Sequence, residues 1–516
     1  MPTEENPLLR TPLSRRRFLA LGGGLAATAT LGAACSAQAP PAAPPRVGPH
    51  SSAVTAAAQA RQVSGAPTVN VALEAAPAEI DLGGGTRVST WAFNGQLPGK
   101  EIRAKQGDVL RVDLSNKLPQ ETTVHWHGLA IRNDMDGVPA LTQDPVKAGA
   151  NFRYEFTLPT SGTFWFHPHV GMQLDRGLYA PLIIDDPAEP GKYDQEVVVV
   201  LDDWIDGTGT TPDAVLANLR QQGMTMGGGM GGGMSGMGMS GNGPLGGDAG
   251  DVNYPYYLAN GKIARDPQVV DAKPGQRIRL RLINAGGDTA FRVGMPTSVM
   301  TITHTDGFPI VPQQAQAVIM GMAERVDAII TVPDTTTPLL VIPEGKKGLA
   351  QLVIRVNQGA APDANTLVPA FLQRPVLNTA TTTATEQVFL PARKPDVTHD
   401  LALMGPTTGS AGKYTWTING KTYDPAAEGL PVRQGQRARL RFVNQSTMFH
   451  PMHLHGHTFQ VRGPNGVGPR KDTVLVLPMP TVEVDFDADN PGQWLTHCHN
   501  LYHMDGGMMT VTSYVE

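Results

Sequence analysis

Short apolar runs and strict alternation of apolar and polar positions dominate the chain. Three runs, at 197–201, 328–332 and 352–356, are rich in β-branched residues and lack the period of an amphipathic helix. The segment 107–116 alternates instead, as a half-buried strand entered from a turn does. These patterns predict a mostly β protein built from short strands, with β-sandwiches as the expected form.

The alternating segment occurs three times along the chain. The same spacing of Gly, Arg and Asn is found at Gly107, Arg111 and Asn116, at Gly275, Arg279 and Asn284, and at Gly435, Arg439 and Asn444. An Asn-Gly pair, typical of a tight turn, precedes each copy at Asn94, Asn260 and Asn419. Three homologous domains explain both features, and a length of 516 residues agrees with about three domains.

The histidines are concentrated in five His-x-His pairs, whereas random placement of 14 histidines would give fewer than one pair. On a strand, residues i and i+2 point to the same face, so each pair delivers two imidazoles to one side. The first and third repeats each carry such a pair at equivalent positions, and the middle repeat has Val293 and Met295 there. We therefore expect the outer domains to carry metal chemistry and the middle domain to space them.

Cys498 lies between the two histidines of the last pair, so its side chain points away from theirs. It faces a second site that His450 and His503 can reach. A thiolate with two imidazoles and a weak axial thioether, for which Met508 is the candidate, defines a blue-copper centre. Structural zinc is disfavoured, because such sites usually contain Cys-x-x-Cys ligands.

These motifs resemble, in the same order, the four copper motifs of the three-domain multicopper oxidases. They are His-Trp-His-Gly at 125–128, His-x-His at 167–169, the histidine-rich segment 450–457, and His-Cys-His-x-x-x-His-x-x-x-x-Met at 497–508. The resemblance covers residues 67–516 and is greatest to bacterial laccases and copper-efflux oxidases. It implies an all-β fold of three consecutive cupredoxin-like Greek-key β-sandwich domains, with a trinuclear copper cluster between the first and third.

The resemblance also implies four copper ions as cofactors: one type 1, one type 2 and two type 3. By position it assigns His125 and His453 to type 2 copper, His127, His167, His169, His455, His497 and His499 to the type 3 pair, and His450, Cys498, His503 and Met508 to type 1 copper. His457 is expected to support a ligand rather than to be one.

Reduction of dioxygen to water consumes four protons, and two acidic residues are candidates to supply them. Asp136 matches an acidic position near the cluster in the family, with a turn role before Gly137 as the alternative. Met504 stands where the most similar bacterial enzymes often have Glu. Asp505 is therefore the second candidate, with a turn role before Gly506 as its alternative.

The N-terminal region has the features of a twin-arginine export signal. Cys35 fits a lipoprotein processing site and 37–39 fits an ordinary signal-peptidase site, and both alternatives stay open. We expect an exported monomer, periplasmic or at the cell surface, with a lipid anchor if Cys35 is processed. The predicted divisions are a signal at 1–39, a disordered tether at 40–66, and domains at 67–188, 189–372 and 373–516.

A methionine-rich loop is predicted at 223–242 in the middle domain. Gly and Ser separate almost all of its six methionines, which are Met224, Met226, Met230, Met234, Met237 and Met239. Thioethers are soft ligands that select Cu(I), so the segment predicts a loop that captures cuprous ions. A flexible low-complexity linker is the alternative.

The predicted function is oxidation of Cu(I), of small phenolic or aromatic amine donors, or of both, with O2 as the acceptor. One alternative is a laccase without a role in Cu(I) oxidation. Another is a non-catalytic copper-binding protein, which is disfavoured because all twelve ligand positions are filled. The net charge of -5 and the lack of a basic run beyond the N-terminus exclude nucleic-acid partners.

Overall fold

The computed structural model describes residues 44–189, 191–223, 243–406, 414–463 and 466–516. It confirms the all-β prediction, because three successive pairs of β-sheets make up the chain. The predicted export signal and the six methionines of the predicted loop lie outside the described residues. Within the described part, no helix has both the length and the hydropathy to cross a membrane.

The first sandwich follows a short helix, α1 (Ser52–Ala60). Its strands are β1 (Thr68–Gly83), β2 (Thr86–Phe93), β3 (Ile102–Lys105), β4 (Val109–Asn116), β5 (His125–His127), β6 (Asn151–Thr157), β7 (Gly162–His167) and β8 (Ala180–Asp185). They form two four-stranded sheets, ordered β2-β1-β4-β6 and β3-β8-β7-β5. The second sheet positions β5 beside β7, and both strands carry histidines.

The second sandwich is the largest. Its elements are β9 (Gln195–Trp204), α2 (Pro212–Gln222), β10 (Tyr256–Ala259), β11 (Lys262–Ile263), β12 (Val269–Ala272), β13 (Arg277–Asn284), β14 (Phe291–Gly294), β15 (Met300–Thr305), β16 (Phe308–Ala315), β17 (Ala317–Met320), β18 (Arg325–Thr331), β19 (Thr337–Pro343), β20 (Ala350–Val356), α3 (Ala364–Leu372) and β21 (Val376–Asn378). The sheets are ordered β11-β10-β9-β13-β18-β15-β16 and β12-β20-β19-β14-β17-β21. β21 lies in the range predicted for the third domain but pairs with β17 of the second sandwich.

The third sandwich ends the chain. Its elements are β22 (Val397–Met404), β23 (Thr417–Ile418), β24 (Leu430–Val432), β25 (Arg437–Asn444), β26 (His450–Leu454), β27 (Phe459–Val461), β28 (Arg470–Lys471), β29 (Thr473–Val476), β30 (Thr481–Asp487), β31 (Gln493–Cys498), α4 (Leu501–Asp505) and β32 (Met509–Tyr514). The sheets are ordered β23-β22-β25-β30-β27-β28 and β24-β32-β31-β26-β29. Here β26 and β31 are the paired histidine strands.

The three sandwiches repeat one topology, as the sequence repeats predicted. The repeated alternating segments form β4, β13 and β25, and each pairs in parallel with the long first strand of its own sandwich. The Asn-Gly turns are equivalent too: Asn94, Asn260 and Asn419 have φ of 53°, 51° and 55°. Each accepts a backbone N–H from that first strand, at 3.0, 2.7 and 2.7 Å respectively.

The asparagine that ends each repeated strand fixes the loop that follows. Asn116, Asn284 and Asn444 are buried, and each Nδ2 donates to two carbonyl oxygens at 2.7 to 3.3 Å. Each Oδ1 accepts the backbone N–H two residues further on. In the outer sandwiches this loop leads directly into the histidine strands β5 and β26, so the repeat positions the histidines.

The structure corrects the prediction of a disordered tether at 40–66. Within its described part, α1 forms because an alanine-rich run favours helix and Ser51 caps it by accepting the N–H of Val54. Two arginines anchor the segment: Arg46 donates to Gln493 at 3.0 Å, and Arg61 donates to Asn490 at 2.9 Å. Pro/Ala composition predicts a linker, but these hydrogen-bond anchors are not visible as a sequence pattern.

Candidate metal centre

The histidine strands of the first and third sandwiches meet at one buried cluster. In the first, β5 pairs with β7 so that His125 lies opposite His167. In the third, β26 pairs with β31 so that His453 lies opposite His497. The eight imidazoles that come together are those of His125, His127, His167, His169, His453, His455, His497 and His499. All eight are buried, which fits metal ligands held away from water.

Rings of the first and third sandwiches stack on one another in two equivalent pairs. His125 stacks on His455 with ring centroids 3.8 Å apart, and His127 stacks on His453 at the same 3.8 Å. His125 and His453 occupy equivalent repeat positions, as do His127 and His455. The two stacked pairs therefore exchange under a local two-fold relation, as the repeat predicts.

Hydrogen bonds outside the cluster fix which nitrogen faces inward for four of the rings. The Nδ1–H groups of His125, His167 and His497 donate to backbone carbonyls, each at 2.9 Å. The Nδ1–H of His455 donates to Asp136 Oδ2 at 2.9 Å, and its Nε2 lies 3.0 Å from Nε2 of His497. Two acceptor nitrogens this close repel each other unless a cation lies between them.

The inward nitrogens are left without protein partners. Buried ring nitrogens with no hydrogen bond include Nε2 of His125, His167, His169 and His453, Nδ1 of His127, and both nitrogens of His499. An unmatched buried polar atom costs about 1–3 kcal/mol, so this many in one cluster requires a ligand. Neutral imidazole nitrogens suit copper, and the donor set therefore fits copper ions.

Burial keeps most of these imidazoles neutral. Desolvation, reinforced by the neighbouring imidazoles, lowers the pKa of the rings well below the usual value for His127, His167, His169, His455, His497 and His499. The pKa of His453 is lowered as well, chiefly by burial. A neutral ring keeps a lone pair on its inward nitrogen, as a metal ligand must.

A second group of ligand atoms lies on the other side of β31. Cys498 Sγ is 3.5 Å from His450 Nδ1 and 3.6 Å from His503 Nδ1, and these two nitrogens are 3.1 Å apart. Met508 is fully buried, and its carbonyl accepts the N–H of Cys498. Burial raises the pKa of the Cys498 thiol well above its usual value, so a metal must displace the proton to give a thiolate.

Two contacts that the sequence did not reveal orient the histidines of this second group. Ser446 Oγ lies 2.7 Å from His450 Nε2, and Asp251 Oδ2 accepts from His503 Nε2 at 3.1 Å. The Trp416 ring stacks on His503 at 3.8 Å. Asp251 belongs to the segment before β10, so the second sandwich contacts the site and is more than a spacer. No sequence spacing links Asp251 to His503, because 252 residues separate them.

Asp136 lies at the predicted position beside the eight-imidazole cluster. It is fully buried, and its Oδ1 is 3.1 Å from His125 Nδ1 while its Oδ2 accepts from His455. It also ends the 3-10 turn Asn133–Met135, so the turn role applies as well. Gly137 has φ of 82°, and a Cβ there would lie 2.1 Å from the carbonyl oxygen of Val124.

Asp505 lies further out, on a cavity of about 190 Å³ that His169 and Met504 also line. Its Oδ1 accepts from Arg220 at 2.6 Å.

His457 is the last of the four histidines in β26 and the turn that follows it. Its ring bonds to the carbonyl of His455 and, at 2.7 Å, to the Tyr514 hydroxyl. His457 therefore contacts the backbone of the cluster residue His455, and its role in supporting a metal ligand stays a prediction.

Known proteins resemble this chain over most or all of its length. Multicopper oxidase family models match residues 74–189, 195–342 and 397–515. The multicopper oxidase MmcO of Mycobacterium tuberculosis is 44% identical and aligns with 100% of this chain and 99% of its own. A copper resistance protein A homolog of Pseudomonas syringae pv. tomato is 26% identical, over 83% and 90% of the two chains. Laccase-4 of Thanatephorus cucumeris is 27% identical, over 79% and 82%.

Solved structures share the fold. A multi-copper oxidase from Pseudomonas thermotolerans is 26% identical and superimposes with a TM-score of 0.66, over 87% of this chain and 100% of its own.

Proposed function

Because the chain belongs to the multicopper oxidase family, we propose that it oxidises Cu(I), small phenolic or aromatic amine donors, or both, and reduces O2 to water. One observation carries the proposal. Cys498 belongs to the second group, together with His450 and His503. In the sequence it lies between His497 and His499, which both belong to the eight-imidazole cluster. The backbone on each side of Cys498 therefore connects an electron-entry site directly to a site large enough for several metal ions.

Four copper ions would be held by twelve residues. The proposed assignment is His125 and His453 for type 2, His127, His167, His169, His455, His497 and His499 for the type 3 pair, and His450, Cys498, His503 and Met508 for type 1. Copper bound there supplies one-electron oxidation at the thiolate group and dioxygen reduction at the imidazole group.

Acidic side chains near the cluster can orient its imidazole rings and deliver protons to it. Asp136 accepts a hydrogen bond from the Nδ1–H of His455, and its other oxygen lies close to Nδ1 of His125. One carboxylate thus orients one ring from each outer sandwich. We propose that the same carboxylate takes part in proton delivery to the cluster. Asp505 is the proposed second member, because it lines the same cavity as His169.

The two ends of the methionine-rich segment support Cu(I) as a donor. On its N-terminal side, Arg220 of α2 pairs with Asp505, two residues beyond His503. On its C-terminal side, Asp251 accepts from His503 itself. The chain on both sides of Met224, Met226, Met230, Met234, Met237 and Met239 is thus tied to the helix that carries a proposed type 1 ligand. Because both anchors contact this helix, a soft cation bound by methionines between them can be passed to it.

Phenol oxidation is the second candidate. It is supported by the similarity to Laccase-4, whose name states that activity class. His450 and His503 are both fully buried, and Asp251 covers the outer nitrogen of His503. A bulky donor therefore cannot contact these rings directly. Small donors are therefore favoured.

The cellular setting follows from the N-terminal sequence. We propose export by the twin-arginine route to the periplasm or cell surface, as a monomer, with a lipid anchor if Cys35 is processed. The resemblance to a copper resistance protein A homolog is in keeping with a role in copper homeostasis.

Oxygen uptake by the copper-loaded protein tests the function. Cu(I), Fe(II) and a small phenol are compared as donors at equal concentration. The proposal expects uptake with Cu(I), and slower uptake with the phenol. A protein that binds copper but consumes no oxygen with any donor would be the non-catalytic alternative.

A further inference from the structure

Arg325 lies where all three sandwiches meet. It begins β18 of the second sandwich and is fully buried. Its Nε donates to the carbonyl of Thr163 in the first sandwich at 3.2 Å. Its two terminal nitrogens form a two-pronged pair with Asp472 of the third sandwich, Nη1 to Oδ1 at 2.8 Å and Nη2 to Oδ2.

Asp472 in turn contacts two rings of the eight-imidazole cluster, one from each outer sandwich. Its Oδ1 accepts from His127 Nε2 at 3.0 Å and lies 3.4 Å from His453 Nδ1. Its backbone carbonyl accepts from His453 Nδ1 at 2.8 Å. The nitrogens left without partners are Nδ1 of His127 and Nε2 of His453, which are the inward ones. Asp472 thus selects the nitrogen that each ring offers to the cluster.

We propose that Arg325, a residue of the middle sandwich, is a positioning residue for the copper cluster. By fixing the Asp472 carboxylate, it sets the orientation of the His127 and His453 rings in the outer sandwiches. The inference rests on the proposed assignment of these histidines as copper ligands. The planar guanidinium holds both carboxylate oxygens at once, whereas a lysine ammonium cannot. Fixing both oxygens leaves Oδ1 in one place relative to the His127 ring.

The surroundings are built for this pair. Gly128 follows His127 with φ of 88°, and a Cβ there would lie 2.5 Å from Arg325 Nη2 and 2.7 Å from Asp472 Oδ2. A glycine is therefore required for the pair to reach the ring. Asp306 Oδ1 accepts the N–H of Arg325 at 2.9 Å, and its Oδ2 accepts the N–H of Asp472 at 3.3 Å. One buried carboxylate thereby fixes the backbones of both partners.

Further buried charges of both signs surround the pair. Lys471 lies 3.2 Å from Asp306 and 3.1 Å from Glu324, and all of these groups are fully buried. Two cations thus face three carboxylates next to the proposed copper ligands. A buried charge that loses its partner is strongly unfavourable, so this cluster holds its members in one arrangement.

The test compares Arg325→Lys with Arg281→Lys in the copper-loaded protein. Arg281 is the matched control, because it is a buried arginine of the same sheet that also donates to Thr163, at 2.9 Å, and pairs with Asp327 and Glu196. Copper affinity is measured by competition with a chelator, and the electron paramagnetic resonance spectrum reports type 2 copper. The blue absorption reports type 1 copper separately.

We expect Arg325→Lys to weaken copper retention at the cluster by about 10- to 100-fold and to alter the type 2 spectrum, while the blue absorption is kept. Arg281→Lys should leave retention and both spectra unchanged. Wild-type retention and an unaltered type 2 spectrum in Arg325→Lys would overturn the proposal, as would equal losses in the two variants.

Two further results separate the outcomes. If Arg325→Lys does not fold, Asp472→Asn breaks the same link from the other end, and a normal type 2 spectrum in that variant overturns the proposal. If wild-type protein binds fewer than four coppers, the proposed function fails, and it does so before any variant is compared.

Discussion

The ring of His125 stacks on the ring of His455, with centroids 3.8 Å apart, although the two residues come from different sandwiches. The ring centroids of His127 and His453 are the same distance apart, so each stacked pair contains one ring from each outer sandwich. Neither sandwich alone can form the cluster. The proposed dioxygen chemistry is therefore a property of the interface between the outer sandwiches.

Replacing the thiol tests the electron-entry site. Cys498→Ser should abolish the blue absorption and lower donor oxidation to background, because serine oxygen is a poor ligand for Cu(I). The eight-imidazole cluster contains none of the altered atoms, so its copper should remain, giving three ions per chain by metal analysis. Blue absorption that persists in this variant would refute the assignment of Cys498.

The methionine-rich segment is tested by two variants. Deleting residues 223–242 should depress turnover of Cu(I) while oxidation of a small phenol stays intact or becomes faster. Replacing only the six methionines with serine keeps the length and should raise KM for Cu(I) by about tenfold, which corresponds to about 1.4 kcal/mol of binding.

Steady-state oxygen uptake with each donor measures both methionine variants. Equal loss with both donors would reject capture of Cu(I) by this segment and leave the linker alternative. Loss in the deletion alone, with normal KM in the serine variant, would assign the effect to chain length instead.

Proton supply is tested at Asp136. Asn can still accept the His455 N–H through its Oδ1, so Asp136→Asn should fold but lower kcat by about 10²–10⁴-fold. Anaerobic reduction of the blue centre by the donor should keep its wild-type rate in stopped flow, because Asp136 does not contact that site. Slowed reduction with normal reoxidation by O2 would contradict the assignment.

Asp505→Asn provides the comparison, since its carboxylate lies further out on the cavity next to His169. We expect a smaller decrease in reoxidation rate than for Asp136→Asn. An equal or larger decrease would make Asp505 the principal relay.

A buried ion pair between β13 and β18 of the second sandwich predicts a pH-dependent stability. Burial would raise the pKa of Asp327, but Arg281 and Arg279 outweigh it and lower that pKa to about 2. Asp327→Asn should therefore lower the free energy of unfolding by about 3–5 kcal/mol near neutral pH. Since the unfolded carboxyl titrates near 3.8, the difference persists above that pH and declines as pH falls towards 2, by about 2 kcal/mol.

Urea unfolding of the metal-free protein at pH 7, 4 and 2.5 measures this difference. Asp271→Asn is the control, because Asp271 also pairs with an arginine, Arg355, but at the surface. It should change stability little at any pH. A pH-independent difference for Asp327→Asn would show that the carboxylate charge is not what makes this residue stabilising.

Sequence patterns predicted which histidines share a face, because strand geometry converts local spacing into shared direction. The pair His497 and His499 on one side and Cys498 on the other follows from a two-residue period alone. The repeat added that His125 and His453 occupy equivalent positions, and the structure brings their strands together. The all-β fold and the three-fold repeat were predictable for the same reason.

The supporting residues could not be predicted, because they act across long sequence separations. Arg325 and Asp472 are 147 residues apart, and Asp251 reaches His503 across 252 residues. Each is an ordinary charged residue in its local sequence. The sequence predicts only a spacing role for the middle sandwich because it lacks histidine pairs, whereas its contribution is made by such single residues. The Pro/Ala composition of the N-terminal segment predicts disorder, whereas its alanine run forms helix α1.

Copper positions test the central claim most directly. An anomalous-difference map recorded at the copper edge from crystals of the copper-loaded protein locates every ion. The account predicts four peaks, three among the eight imidazoles between the first and third sandwiches and one beside Cys498, His450 and His503. Fewer than three peaks between those sandwiches, or a copper ion held by another set of side chains in place of these, would contradict it.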